Sequence, residues 1–358
     1  MLLWRSLLVA LCLPMAAGGY TSLYVFGDGV CTTTDNPTGP GEENEALADL
    51  YYGRRYCNGR VWVEVLAQWQ GLTYDPAGNI SYFGHDSTEL IANANNFVAP
   101  ADVATALVVA WTNNADLVEF STENPPPYGP TDLPAWNQFV EDSLAEHEQA
   151  LNILYNKGVR HLVMPKAVDI TSVPFYNLAP PQRQFIRERV IEFNTGFDAM
   201  LVDLMVTLPG LRICRPDTFA FFETVLANPG DYGLVNPGVD AINDLGDPPL
   251  DSGPGVDYIF WDVYHPTAKF QVHLANLVQQ LLTPARLHNV VVGGGNADLT
   301  VVNAPVGREG FVDSSPDVIN FSEVSPILPT ATSETFSVPA TGDRRFYKVR
   351  FPVVWSWP

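Results

Sequence analysis

Tyr24-Val25-Phe26-Gly27-Asp28-Gly29-Val30 decides how this chain is read. Leu23 to Phe26 is a short apolar run, and it breaks into Gly-Asp-Gly. That pattern predicts a buried strand over residues 23–27 that ends in a tight, polar turn. A second stretch repeats the plan: Phe260-Trp261-Asp262-Val263-Tyr264-His265-Pro266-Thr267. Here a strand over 256–261 runs into a loop with an aspartate and a histidine three apart, and a helix follows. In an open α/β sheet, strand ends of this kind are where functional groups converge.

Between these two stretches, strand and helix patterns alternate. Val61 to Trp69 has apolar residues at helical spacing. Ala104 to Trp111 is a continuous apolar run, typical of a strand covered on both faces, and an Asn- and Pro-rich loop is expected after it. Asp132 before Leu133-Pro134 predicts a capped helix start. That helix should run to about Asn156 and stop at Lys157-Gly158. Arg160 to Pro165 reads as another short strand. A long helix is predicted from Pro181 to about Leu208, and a last one from Thr267 to Leu282. The alternation predicts an α/β fold with a parallel sheet and helices on both faces.

The bulk properties bound the function. The chain has 358 residues and a net charge of −21, with an isoelectric point near 4.4. So many carboxylates repel phosphate backbones, which argues against nucleic-acid binding. Residues 1–19 read as a secretory signal: Arg5, the apolar run Leu7 to Leu13, then small residues to Gly19. The run is far short of the roughly 20 residues that span a bilayer. No other stretch is a candidate span. The domain residues 20–288 would then be followed by a small β-rich module over residues 289–358, where short β runs and turn residues replace the helical period. Secretion exposes cysteines to oxidation. Cys31 and Cys57 are the expected disulfide pair, with Cys214 free; three unpaired buried thiols are the alternative.

Asp262 and His265 suit acid–base work. The carboxylate would hold one imidazole nitrogen and leave the other to take a proton. A solvated surface pair is the bland alternative, but the flanking strand and helix favour the chemical one. No Cys/His cluster has zinc spacing. Neither an EF-hand loop nor a phosphate-binding glycine motif is present, so no metal or cofactor is expected. His85, His147, His161, His273 and His288 read as structural. The aromatics Tyr51, Tyr52, Tyr56, Tyr82 and Phe83 fall near the site, where they would bind an acyl chain or sugar or simply pack. Asn79-Ile80-Ser81 and Asn320-Phe321-Ser322 fit the glycosylation triplet.

With these residues in view, the chain resembles the GDSL (SGNH) lipases, esterases and acylhydrolases. Residues 26–30 resemble the Gly-Asp-Ser-Leu block. Cys57-Asn58-Gly59-Arg60-Val61-Trp62 resembles the second block, Asn-Gly-Arg before a helix. Val108 to Leu117 resembles the third, a strand ending in Gly-x-Asn-Asp. The Asp262/His265 loop resembles the last. The resemblance spans about residues 20–285. It implies a three-layer, flavodoxin-like sheet and a secreted ester hydrolase acting on a small ester, lipid or acylated glycan. It makes His265 the base, Asp262 its orienter and Gly59 an oxyanion donor. It also puts Gly29 at the nucleophile's position, where the family has serine. Ala115 falls at the oxyanion asparagine's position, and Asn114 takes that role if the loop shifts by one residue.

Glycine has no oxygen with which to attack. Cys31 or Thr32, Thr33 and Thr34 could substitute, although the threonine loop is expected to face solvent. A water could occupy the space left by the missing side chain and be activated by His265. The remaining alternative is a non-catalytic descendant that binds an ester, lipid or glycan in the same cleft.

Overall fold

The computed structural model describes residues 19–33, 49–250, 253–340 and 345–357. The secretory signal therefore lies almost wholly outside the described residues, as does Thr34. The central sheet has four parallel strands, β1 (Leu23–Gly27), β2 (Leu107–Trp111), β3 (His161–Val163) and β4 (Arg212–Cys214), in that spatial order. Gly27 pairs with Trp111, so the two strands end together. Residues 79–82 lie along the other edge of β1: the Ile80 N–H donates to Val25 O at 2.7 Å, and the Tyr82 N–H to Gly27 O at 3.2 Å. β1 is thus interior, the order that a flavodoxin-like sheet requires. β2 is buried along its whole length, as its unbroken apolar run demands. A separate parallel pair, β5 (Val235–Asp240) and β6 (Tyr258–Phe260), carries the Asp/His loop.

Helices flank the sheet. α1 (Trp62–Trp69) packs on α8 (Ala268–Leu282). On the other side of the helix set, α2 (Ser87–Asn96) packs on α4 (Leu133–Asn156), which packs on α5 (Pro180–Thr207). Two expectations fail locally. The stretch after Trp111 is no loop but helix α3 (Asn113–Glu123); its asparagines are weak helix formers that sit in the first turn, where tertiary contacts outweigh propensity. Asp132 does not cap α4 through its side chain; its carboxylate accepts the Gly129 N–H instead, at 2.7 Å. Shorter helices α6 (Thr218–Ala227) and α7 (Ala241–Leu245) complete the layer.

The last part is β-rich. β7 (Arg286–Gly293), β8 (Asn296–Val302) and β11 (Ser333–Pro339) form one antiparallel sheet; β9 (Gly310–Ser315), β10 (Ser322–Ile327) and β12 (Phe346–Arg350) form another. β8 alternates exposed and buried residues, which puts Ala297, Leu299 and Val301 on its inner face. With Val312, Ile327 and Val338, Ala297 and Leu299 make a small core separate from the main one. The chain then returns to the main body: Val353 and Trp355 pack on its core.

Candidate active site

The two sequence stretches meet. β1 ends at Gly27, and Asp28 caps a single 3-10 turn, Gly29–Cys31, by accepting the Val30 N–H at 3.0 Å. The loop after β6 brings His265 over Gly29. A Cβ built on Gly29 would lie 2.2 Å from His265 Nε2. The imidazole therefore occupies the space that a side chain at position 29 would fill, and the expected vacancy for a water at that point is not there.

His265 is tightly held. Its Nδ1 lies 2.9 Å from both Asp262 oxygens. Asp262 Oδ1 also accepts the N–H of Tyr264 at 2.8 Å and of His265 at 2.7 Å. Its Oδ2 accepts the Tyr51 hydroxyl at 3.1 Å. Burial pushes the Asp262 pKa up, but the His265 charge and these donors outweigh it and hold the carboxyl below its ordinary value. Two carboxylate oxygens on one nitrogen fix Nδ1 as the facing atom and leave Nε2 for chemistry. Tyr56 stacks on the imidazole at 4.5 Å, and Phe83 meets its edge at 5.9 Å.

His265 lines a cavity of about 380 Å³. Its walls are largely apolar, among them Phe83, Ala115, Val118, Val168, Ile170 and Tyr264. Asp28, Gly29 and Asn114 supply polar groups at the same cavity. Asn114 Oδ1 accepts the Val168 N–H at 3.0 Å. Asp28 is fully buried, and that burial pushes its pKa up to about 6, against the pull of the Val30 N–H, the His265 charge and the Asn114 amide. Both Asn114 and Ala115 line the cavity, so the one-residue offset read from sequence still leaves an amide there.

Gly59 is buried but is not part of the cavity wall. The neighbouring Asn58 ties this loop to the start of α8, its Oδ1 accepting the Ala268 N–H at 2.8 Å. The alternative nucleophiles fare poorly. Cys31 and Cys57 are both free, buried thiols, so the expected disulfide is absent. Burial, reinforced by Asp28, pushes the Cys31 thiol well above its ordinary value, and burial lifts Cys57 to about 12. Thr32 and Thr33 are buried rather than solvent-facing. The Thr32 hydroxyl donates to Asp28 O at 3.3 Å, and Thr33 shares a hydrogen with the Tyr74 hydroxyl at 2.7 Å. Neither lines the cavity.

Of the other readings, Asn79 spends its amide on Cys31 O, Thr33 and Tyr74 and is not free for a glycan. His147 and His85 are buried and structural: His147 bonds Thr112 and Ser143, and His85 bonds Gly27 O. Among the described residues, no three His, Cys, Asp or Glu side chains converge as metal ligands. Among them, too, no helix is long and apolar enough to cross a membrane. Tyr51 is the participant that sequence reading placed only in a loose aromatic set. Nothing in its spacing marks it as the partner of a residue 211 positions away.

An α/β sheet with an Asp–His pair over the end of its first strand defines the class to which the comparisons with known proteins also point. No family model matches the chain. A thermolabile hemolysin of Vibrio parahaemolyticus is 26% identical over 249 residues, 62% of this chain and 54% of its own length. Two GDSL esterase/lipases of Arabidopsis thaliana are 25% and 26% identical over 147 and 311 residues. These matches cover 37% and 71% of this chain, and 40% and 80% of theirs. The chain is thus similar to GDSL esterases and lipases, and it spans about half the length of the hemolysin it matches. Among solved structures, an α/β hydrolase from the metagenome of Lake Arreo, Spain, superposes with a TM-score of 0.39 at 15% identity over 74% of this chain and 94% of its own. A superposition that loose carries no argument.

Proposed function

We propose that this protein is a secreted GDSL-type ester hydrolase that works without a protein nucleophile, by water attack under His265 base catalysis. The observation that carries the reading is the imidazole itself. Its Nδ1 is locked on Asp262, and it lines a largely apolar cavity beside Asp28 and Asn114. A general base of this kind contributes about 10²- to 10⁴-fold to rate.

The ester's acyl part would lie along Val118, Val168 and Ile170. A water on the cavity side of Nε2 attacks the carbonyl carbon and gives its proton to Nε2, while Asp262 stabilises the imidazolium. The carbonyl π electrons move to oxygen, and the Asn114 amide and Gly29 N–H are the candidate donors for that oxyanion. Gly59 remains a candidate donor on the resemblance alone. Collapse breaks the acyl–oxygen bond, and the departing alkoxide takes the proton back from Nε2. The products are a carboxylic acid and an alcohol; a small ester, lipid or acylated glycan fits the scheme.

The second reading, a binder of such esters, draws on the same contact that removes the nucleophile: His265 fills the place of the missing side chain. Stopped-flow hydrolysis of p-nitrophenyl butyrate tests the water route. A linear release of p-nitrophenol from the first turnover, with no acyl adduct in the protein's mass, is expected. A burst of about one equivalent per enzyme with a matching adduct would overturn it. No turnover, with the ester bound, would establish the binder.

A further inference from the structure

We propose that Tyr51 is a positioning residue of this site, holding the Asp262 carboxylate in the plane that His265 needs. Its consequence for turnover rests on the hydrolase reading; the contact itself does not. Three residues of one loop each touch the Asp/His loop. Leu50 O accepts the Trp261 indole N–H at 2.8 Å. The Tyr51 hydroxyl donates to Asp262 Oδ2 at 3.1 Å. The Tyr56 ring stacks on His265 at 4.5 Å. The grip thus runs in register along residues 261, 262 and 265.

The two oxygens of Asp262 are served differently. Oδ1 takes two backbone N–H groups from its own loop besides the imidazole. Oδ2 takes the imidazole and the phenol. Backbone donors on one oxygen leave the carboxylate free to pivot about that oxygen, and a donor on the other stops the pivot. Burial and the neighbouring carboxylate push the Tyr51 pKa up, so the phenol stays a donor at every working pH. The loop is held from behind as well: the Trp357 indole donates to Asn58 O at 2.8 Å, and its ring meets Tyr52 edge-on at 5.9 Å.

The test is Tyr51→Phe, which keeps the ring and deletes the donor, beside Tyr52→Phe, which alters the same loop away from Asp262. The first readout is the low-field proton resonance of His265 Nδ1–H in substrate-free protein. It is expected to move or broaden in Tyr51→Phe and to stay in place in Tyr52→Phe. Where esters are hydrolysed, kcat should fall about tenfold in Tyr51→Phe with KM unchanged, the cost of one hydrogen bond to a charged group. A resonance that is unmoved in Tyr51→Phe, or moved equally in both variants, overturns the proposal. A wild type that hydrolyses no ester sinks the hydrolase reading, while the resonance still decides the role of Tyr51.

Discussion

His265 Nε2 lies 2.2 Å from the point where the Cβ of any side chain at position 29 would have to be. Real Cβ atoms do not come that close, so a side chain at 29 and the present imidazole position exclude each other. Asp262 and Tyr56 hold the ring and oppose its retreat. Gly29→Ala should therefore cost about 1–3 kcal/mol, as overpacking in a well-filled site does. Thermal unfolding should show a midpoint lower by a few degrees. An alanine variant as stable as the parent would mean that the ring moves aside freely. By the same reasoning, Gly29→Ser should not gain esterase activity without a second change that makes room for the imidazole.

Asp28 gives a pH dependence with a definite sign. Burial raises its pKa from an ordinary 3.8 to about 6. Between those values the folded chain keeps a proton that the unfolded chain has lost. Its contribution to stability is thus present below 3.8 and is lost as pH rises through about 6. Asp28→Asn stays neutral throughout and still accepts the Val30 N–H. Relative to the parent, it should gain up to about 3 kcal/mol between about pH 4 and pH 7. Denaturant unfolding at the two pH values measures the difference; a constant difference would contradict the burial assigned to this carboxyl.

The cysteines offer a chemical check. Cys31, Cys57 and Cys214 are buried and in no disulfide, and burial keeps the Cys31 and Cys57 thiols protonated at neutral pH. Iodoacetamide should leave all three unmodified in the native protein and alkylate all three in denaturant without reductant. Peptide mass mapping reads this directly. A Cys31–Cys57 disulfide would appear as one alkylated cysteine and a bridged peptide pair.

Arg308 fastens the end of the described chain to the main body. Its Nε donates to Pro352 O at 3.1 Å, one terminal nitrogen to Asn276 at 2.8 Å and the other to Phe351 O. The guanidinium stacks 4.6 Å from the Trp69 ring. Burial pulls its pKa down to about 10. Arg308→Ala leaves those acceptors without their donors and should cost about 2–4 kcal/mol. Limited proteolysis should then cut within residues 351–357 sooner than in the parent; equal resistance would show that Trp355 and Trp357 hold this segment unaided.

Much of this was legible in the sequence, because the informative residues are local. The break at Gly27-Asp28-Gly29 and the three-residue spacing of Asp262 and His265 are short-range patterns, and both lie where strand ends were expected. Burial on both faces explains why β2 could be read from composition alone. Helix α3 was missed because asparagines in a first turn look like loop residues. The cysteine pairing was not legible because an oxidising compartment does not bring two side chains together. Tyr51 was not placed because its partner lies on a distant segment and carries no spacing signature. The collision of His265 with position 29 is likewise invisible until the two strand ends are brought together.

Ester hydrolysis by the parent and His265→Ala, measured side by side on p-nitrophenyl butyrate with both proteins shown to be folded, tests the central claim most directly. The parent should turn over, and His265→Ala should fall by about 10² or more, the share of a positioned general base. Equal rates in the two proteins would place any hydrolysis elsewhere on the molecule and contradict the role assigned to His265.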